Sequence, residues 1–173
     1  MGAVDPDQLR IYCNDHLAAS AGGIGLVRRM LAHHRDDEWT APLRGLHAEL
    51  QEERAALRTT MAALGLPASR VKQLVVAVAE KVSRLKPDGR LGRGPLSTVV
   101  EFEFLSGAVL LKRAGFETLL GLSEVDRRID AGEMERLVDQ ADRQHRWLAD
   151  ARREHAAATF GGRPERQDDA SDT

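Results

Sequence analysis

The chain has 173 residues, 42% of them hydrophobic, and a formal net charge of -2. This size suits a single packed domain, and the charge argues against wholesale electrostatic attraction to nucleic acid. Because Cys13 is the only cysteine, an internal disulfide framework and a cysteine-rich zinc site are excluded, and with no signal-like apolar run or membrane span we expect a cytoplasmic protein.

The first predicted helix runs from residue 6 to about residue 34, with Asp5 as its N-cap and a proline at its first position. Residues on one side of this helix recur at helical spacing: Leu9, Tyr12, Cys13, Ser20, Ile24, Val27, Met30 and Leu31. The periodicity continues through Gly22, Gly23 and Gly25 with no strand before them, unlike a dinucleotide-binding loop. We interpret these glycines as a thin face that permits close helix approach.

Two further helices are predicted next. Thr40 and Pro42 open the first of them, and Gly65 and Pro67 end it. Its apolar stripe consists of Leu43, Leu46, Leu50, Leu57, Met61 and Leu64. Ser69 can cap a shorter helix, whose many valines make a strand the competing interpretation. The charges interspersed among those valines favour a helix.

A loop rich in glycine and proline, residues 86–95, precedes a long helix from about Leu96 to Leu122. The opening "TVVEFEF" of that helix alternates as a strand does, but the uninterrupted length is far beyond an ordinary strand. Apolar residues surround it on nearly all sides. We therefore expect a central, largely buried helix.

A last long helix is predicted from the capping box of Asp130 and Glu133 to about Phe160. Residues 1–160 then form one domain, and residues 161–173 form a polar, disordered tail. The predicted fold is all-α: an antiparallel four-helix bundle with an additional shorter helix in the connection between the second and third long helices.

Every long helix carries polar residues on or beside its inward face. In chain order these are His16, Glu53, Arg54, Glu103, Asp142, His145, Arg152 and His155. Because an isolated buried charge is unfavourable, we expect these groups to meet in one polar cluster in the bundle core.

One interpretation of the cluster is a metal site, since carboxylates and imidazoles from four helices bind two iron or manganese ions in some bundles. The candidate ligands are His16, Glu53, Glu103, Asp142 and His145. The second helix lacks the Glu-x-x-His motif of such bundles, and a nearby arginine would repel a dication. No cofactor is therefore assigned, with iron or manganese as the alternative.

The favoured interpretation is a structural network. Arg54 or Arg152 would neutralise Glu53 or Glu103, because forked guanidinium donors suit a buried carboxylate, and His155 would add hydrogen bonds.

Residues 70–93 form a basic segment, which contains seven basic residues and only two acidic ones. Near its glycine-rich tip, Lys86, Arg90 and Arg93 can bind an anion. The spacing matches no P-loop, and the segment has no aromatic residue for stacking on nucleic acid bases. We favour a solvated face; the alternative is a module that binds a phosphate-bearing ligand, an anionic lipid or an acidic partner.

Four segments together resemble the ferritin-like superfamily, and more narrowly a bacterial group of ferritin-like domain proteins without an assigned activity: "YCNDHL" at residues 12–17, "EER" at 52–54, "KVSRLKPDGRLGRGPLS" at 81–97 and "EFE" at 101–103. The similarity covers residues 8–160. It implies a four-helix bundle with an inserted helical connection. Ferritin-like proteins often bind two irons and handle dioxygen, peroxide or stored iron, so a metal-binding oxidoreductase or iron-handling protein is the alternative to a bundle of unassigned activity. The candidate partners are a small molecule, a metal ion and a second copy of the chain.

Overall fold

A computed structural model describes residues 4–34, 38–69 and 94–161 of the protein. These residues form four helices: α1 (Pro6–His33), α2 (Thr40–Ala63), α3 (Pro95–Ser123) and α4 (Ala131–Phe160). The described ranges contain no strand, so the all-α class and the four long helices are confirmed. The shorter helix predicted after Ser69, nearly all of the loop 86–95 and the tail beyond residue 161 lie outside the described residues.

The ends of α1 and α4 follow the predicted capping chemistry. The Asp5 carboxylate accepts hydrogen bonds from the backbone N–H groups of Asp7 at 2.9 Å and Gln8 at 3.2 Å. The Asp130 carboxylate accepts one from the backbone N–H of Glu133 at 3.0 Å. Both side chains therefore satisfy donors that the first turn of a helix leaves without intrahelical partners.

α2 begins and ends differently. The Thr40 hydroxyl donates to the backbone carbonyl of His34 at 2.6 Å, which ties the start of α2 to the end of α1. At the other end Gly65 has a φ of 72°, a left-handed conformation that glycine adopts without strain and that commonly ends a helix. Gly65 therefore ends α2, as predicted.

The four helices enclose two apolar clusters. α1 packs against α2 and α3, and α3 has its most extensive interface with α4. The first cluster includes Leu9, Leu17, Leu57, Met61, Phe116, Leu119, Met134 and Leu137. The second includes Val27, Met30, Leu43, Leu46, Phe102, Leu105, Val109 and Leu148. No helix of the described ranges has both the length and the apolar character of a membrane span.

α3 is less buried than its composition predicts. Its inner face carries the buried residues Val99, Phe102, Leu105, Val109, Phe116 and Leu119. Its outer side exposes Leu96, Phe104, Leu110 and Leu111 by 37 to 54%. The expectation of a helix buried nearly all round is therefore wrong, because only one face of α3 packs on the core.

The expected close approach to another helix is not found at Gly23 or Gly25. Apart from neighbouring atoms of α1 itself, no atom of the described residues lies within 4 Å of a Cβ built at either position. Close approach occurs instead at Gly115 of α3, where a built Cβ would lie 2.7 Å from the ring of His16. Gly23 is instead part of a cavity wall.

Candidate functional site

Glu53 of α2 lies at the centre of a polar layer that crosses the core. The residue is 1% exposed. Its Oε2 accepts a hydrogen bond from the Nζ of Lys112 on α3. Its Oε1 accepts from the side-chain amides of Gln140 at 3.0 Å and Gln144 at 2.9 Å, both on α4. Donors from two helices, α3 and α4, therefore satisfy the one buried carboxylate of α2.

The two glutamines extend this layer towards the surface. The Oε1 of Gln144 accepts from Lys112 Nζ at 2.5 Å, while its Nε2 also donates to Glu49 at 2.7 Å. The Oε1 of Gln140 accepts from Arg136 at 2.9 Å. Each amide thus presents its oxygen to a cation and its nitrogen to a carboxylate, which fixes the orientation of both. We call Glu53, Lys112, Gln140 and Gln144 the polar layer.

Burial acts in opposite directions on the two charged residues of the layer. Loss of hydration raises the pKa of Glu53, and the Lys112 ammonium partly offsets that rise. Loss of hydration also lowers the pKa of Lys112, and the Glu53 carboxylate partly offsets that fall. Burial therefore brings the ion pair closer in free energy to the neutral pair of amine and carboxylic acid.

A cavity of about 50 Å³ lies beside the polar layer, between α1, α2 and α3. Lys112 and Glu53 are both in its wall, and most of the remaining wall is apolar, including Leu57, Val109 and Phe116. A space of this size suits a molecule of only a few non-hydrogen atoms.

Tyr12 and His16 of α1 are half-buried residues of the cavity wall. Their ring centroids are 4.6 Å apart. The Tyr12 hydroxyl donates to Thr118 of α3 at 3.0 Å, and the His16 ring lies against Gly115. Burial lowers the pKa of His16. The ring is therefore biased towards its neutral form.

Cys13 also lines the cavity, and burial raises the pKa of its thiol from 9.0 to about 11. Reactive cysteines require the thiolate form. At neutral pH the thiol is therefore protonated and unreactive.

Arg54 does not occupy the place that the structural network gave it. Its guanidinium donates to the backbone carbonyl of Leu17 and, at 2.5 Å, to the hydroxyl of Ser20. Arg54 therefore ties α2 to α1, and Lys112 neutralises Glu53 in its place. The physical role was predicted for an arginine and is filled by a lysine.

The candidate ligands on α3 and α4 lie in other parts of the bundle. Glu103 is paired with Arg152 at 3.5 Å, with half of the Glu103 side chain exposed. Asp142 is paired with Arg113 at 2.6 Å. His145 is hydrogen-bonded to Ser106 at 3.0 Å. The Arg152–Glu103 pair agrees with the network hypothesis but lies at the surface, outside the core.

His155 lies among aromatic side chains in the part of the bundle that holds the second apolar cluster. Its ring is stacked on Phe102 with centroids 5.1 Å apart, and Trp39 is 4.8 Å away. Within the described ranges, no three histidine, cysteine, aspartate or glutamate residues are grouped so that they could hold a metal ion. The structure therefore places His16 and Glu53 in the wall of one cavity, but Glu103, Asp142 and His145 do not line it. Lys86, Arg90 and Arg93 lie outside the described residues.

Lys112, Gln140 and Gln144 were not among the site residues predicted from the sequence. A signal exists in the spacing of three and four residues along each inner face. Lys112 continues the series Leu105, Val109, Phe116, and Gln144 continues Leu137, Ala141, Leu148. A polar residue within such a series occupies a core position.

Comparisons of the chain with protein-family models, with curated proteins and with solved structures find no match. The function of the chain is therefore inferred from the cavity and the polar layer.

Proposed function

We propose that the protein is a helical bundle that binds a small, mainly apolar molecule in the cavity between α1, α2 and α3. The observation that carries this proposal is a cavity of about 50 Å³ whose apolar wall includes a lysine only 14% exposed and a buried glutamate. Binding sites for small molecules typically combine an apolar wall with a few polar groups that orient the ligand.

The cavity argues for more than a structural ion pair. Protein cores are packed as densely as organic crystals and contain few voids larger than a water molecule. A purely structural Lys112–Glu53 pair needs no free space beside it. The space lies where Gly23 and other small residues of α1 face the polar layer, so the local sequence leaves room for a ligand.

We also propose that the bundle is antiparallel and of the ferritin-like type. Contacts between α3 and α4 support opposite directions, because Arg113, Ser106 and Glu103 pair in that order with residues 142, 145 and 152. Contacts between α1 and α2 also pair in reverse order. Asn14 is hydrogen-bonded to Pro67, whereas Ser20, later in α1, is hydrogen-bonded to Arg54, earlier in the chain.

The same logic supports a long crossover. Tyr12 near the start of α1 contacts Thr118 near the end of α3, and the charge of His33 at the end of α1 acts on Glu101 near the start of α3. α2 and α3 then both run antiparallel to α1 and are parallel to each other. The end of α2 and the start of α3 therefore lie at opposite ends of the bundle. One such long connection is typical of ferritin-like folds.

The polar layer also bears on the metal alternative. The Lys112 ammonium supplies positive charge beside Glu53, where a metal-binding bundle would place its cation. We therefore propose a bundle whose core binds a small molecule, with no metal ion assigned.

The binding proposal is tested with 1-propanol, a probe of suitable size, by methyl NMR of the full chain. We expect concentration-dependent shifts at Leu57 and Val109, which line the cavity, and none at Leu43, which lies in the second cluster away from it. The shifts should approach saturation, because the cavity holds one probe molecule.

The matched variants are Gly23→Leu and Gly25→Leu. A Cβ fits at both positions, but only Gly23 lines the cavity. We expect Gly23→Leu to abolish the saturable shifts and Gly25→Leu to preserve them. Shifts that persist in Gly23→Leu, or that spread over the surface without saturation, would contradict the proposal.

A further inference from the structure

We propose that Lys112 is a reactive amine that captures a small, uncharged aldehyde in the cavity as an imine, with Glu53 as its proton donor and acceptor. This inference rests on the proposed function, since the aldehyde must enter the same cavity.

The geometry joins three requirements of imine chemistry in one place. An amine is needed, and the Nζ of Lys112 donates a hydrogen bond directly to Glu53 Oε2. An acid–base group is needed beside the amine, and the same carboxyl supplies it. Space for a carbonyl compound is needed, and both side chains line the cavity. These side chains are only 14% and 2% exposed, so water is largely excluded from the pair.

The amine becomes a nucleophile only when it is neutral. One proton transfer from Nζ to Oε2, along the existing hydrogen bond, converts the ion pair into a neutral amine beside a carboxylic acid. Burial favours this transfer, because it lowers the pKa of Lys112 and raises the pKa of Glu53. The same transfer creates the nucleophile and its acid catalyst without exchange of a proton with solvent.

The glutamines hold the carboxyl group in position for this exchange. Gln140 and Gln144 both donate to Oε1 of Glu53, while Lys112 binds Oε2. Gln144 also accepts a hydrogen bond from Nζ. Oε2 is therefore the oxygen that exchanges a proton with the amine, and the amides keep it facing Nζ.

The condensation has two balanced steps. First, the Nζ lone pair attacks the carbonyl carbon and forms the C–N bond, the carbonyl oxygen takes the proton of Glu53, and an amine proton returns to Glu53, which gives a carbinolamine. Second, the hydroxyl group takes the Glu53 proton and leaves as water while the nitrogen lone pair forms the C=N bond. The products are water, a protonated imine and the Glu53 carboxylate beside it.

The cavity selects the class of aldehyde. Only a few non-hydrogen atoms fit in a cavity of about 50 Å³, so short-chain alkyl aldehydes such as propanal are the expected substrates. Leu57, Val109 and Phe116 face the alkyl part. An aldehyde that carries a carboxylate is disfavoured because it would bury a second negative charge beside Glu53. Arg54, the other cation of the wall, is hydrogen-bonded to α1.

The experiment treats the full chain with propanal and cyanoborohydride near neutral pH, which reduces an imine to a stable propyl-amine. Peptide mass spectrometry then compares Lys112 with the other three lysines of the chain, Lys72, Lys81 and Lys86. We expect Lys112 to be propylated at least severalfold faster, because a lowered lysine pKa leaves more of the amine neutral near neutral pH. In denaturant this preference should disappear.

Three variants make the result specific. Gly23→Leu should remove the preference by closing the cavity, and Gly25→Leu should keep it. Glu53→Gln retains an acceptor of similar shape but lacks the exchangeable proton, so propylation of Lys112 should slow severalfold and change its pH dependence. Circular dichroism verifies that each variant is folded.

Equal propylation of all four lysines in the folded chain would overturn the inference. So would a Lys112 preference that survives in Gly23→Leu. If either result is obtained while 1-propanol gives saturable shifts at the cavity of the wild-type chain, the proposed function stands and only the imine chemistry fails. If neither probe binds, the binding proposal fails as well.

Discussion

Gly115 of α3 shows how one missing side chain positions a residue of the cavity wall. A Cβ at this position would lie 2.7 Å from both Cε1 and Nδ1 of the His16 ring. Such a separation is shorter than ordinary van der Waals contact, so a side chain at 115 and the present position of His16 exclude each other. Gly115 therefore keeps the ring against α3.

We predict that Gly115→Ala reduces the free energy of unfolding by about 1–3 kcal/mol, because the methyl group overpacks against His16. In a His16→Ala background the same substitution should instead stabilise the protein by about 0.5–1 kcal/mol, since alanine has the higher helix propensity. Urea denaturation of the four proteins measures both effects. An equal loss in the two backgrounds would show that the His16 contact is not the cause.

The residue type and its position in the sequence predicted that Glu53 lies in the core, but they did not predict this for Lys112. A carboxylate beside an apolar stripe is conspicuous, and its burial was expected. A lysine is different, because its long apolar stem lets the ammonium reach water from many positions of a helix. Lysine is also rarely buried. Only the position of Glu53 on the facing helix decides that the Lys112 ammonium remains in the core.

At the scale of the helix, ends were easier to predict than faces. Asp5 and Asp130 cap their helices through contacts within three residues along the chain, so the necessary information is local. The inward face of α4 is not local. His145 was expected on it, whereas Gln144 is buried there. Adjacent helical positions differ by about 100°, and both residues are polar. The partner Glu53 on α2 decides between them.

We predict that Asp130→Ala reduces the free energy of unfolding by about 1 kcal/mol through loss of the α4 N-cap. The Glu133 backbone N–H would then lose the acceptor that it has at 3.0 Å. Asp130→Asn keeps a side-chain oxygen at this position and is the matched control, with a loss of only a few tenths of a kcal/mol. Thermal and urea denaturation measure the difference. Similar losses for alanine and asparagine would contradict the capping role.

At the scale of the whole molecule, the polar layer lies between the two apolar clusters. Leu57 of α2 belongs to the first cluster and Leu50 to the second, with Glu53 between them. On α3, Phe116 and Val109 lie on either side of Lys112 in the same way. Because any lengthwise shift of one helix would separate the carboxylate from its donors, the layer favours one alignment of the helices.

This arrangement predicts opposite signs for breaking the layer and for replacing it. Lys112→Met removes the cation and leaves a buried carboxylate, so the free energy of unfolding should fall by about 3–5 kcal/mol near neutral pH. Replacing the whole layer by apolar residues of similar volume should be neutral or stabilising by about 1–4 kcal/mol. The replacement variant is Glu53→Leu, Lys112→Met, Gln140→Leu and Gln144→Leu.

The pH dependence distinguishes the two variants further. In Lys112→Met the ammonium no longer lowers the pKa of Glu53, so burial raises that pKa further above its ordinary value of 4.5. A carboxyl group with a raised pKa in the folded state stabilises that state when protonated, and the contribution is lost as pH rises through the folded pKa. The single variant should therefore regain part of its stability relative to wild type as the solution is made mildly acidic. The fourfold variant lacks the carboxyl group and should show no such recovery. Urea denaturation across this pH range measures both effects. A fourfold variant less stable than wild type near neutral pH would show that the layer contributes net stability that apolar packing cannot replace.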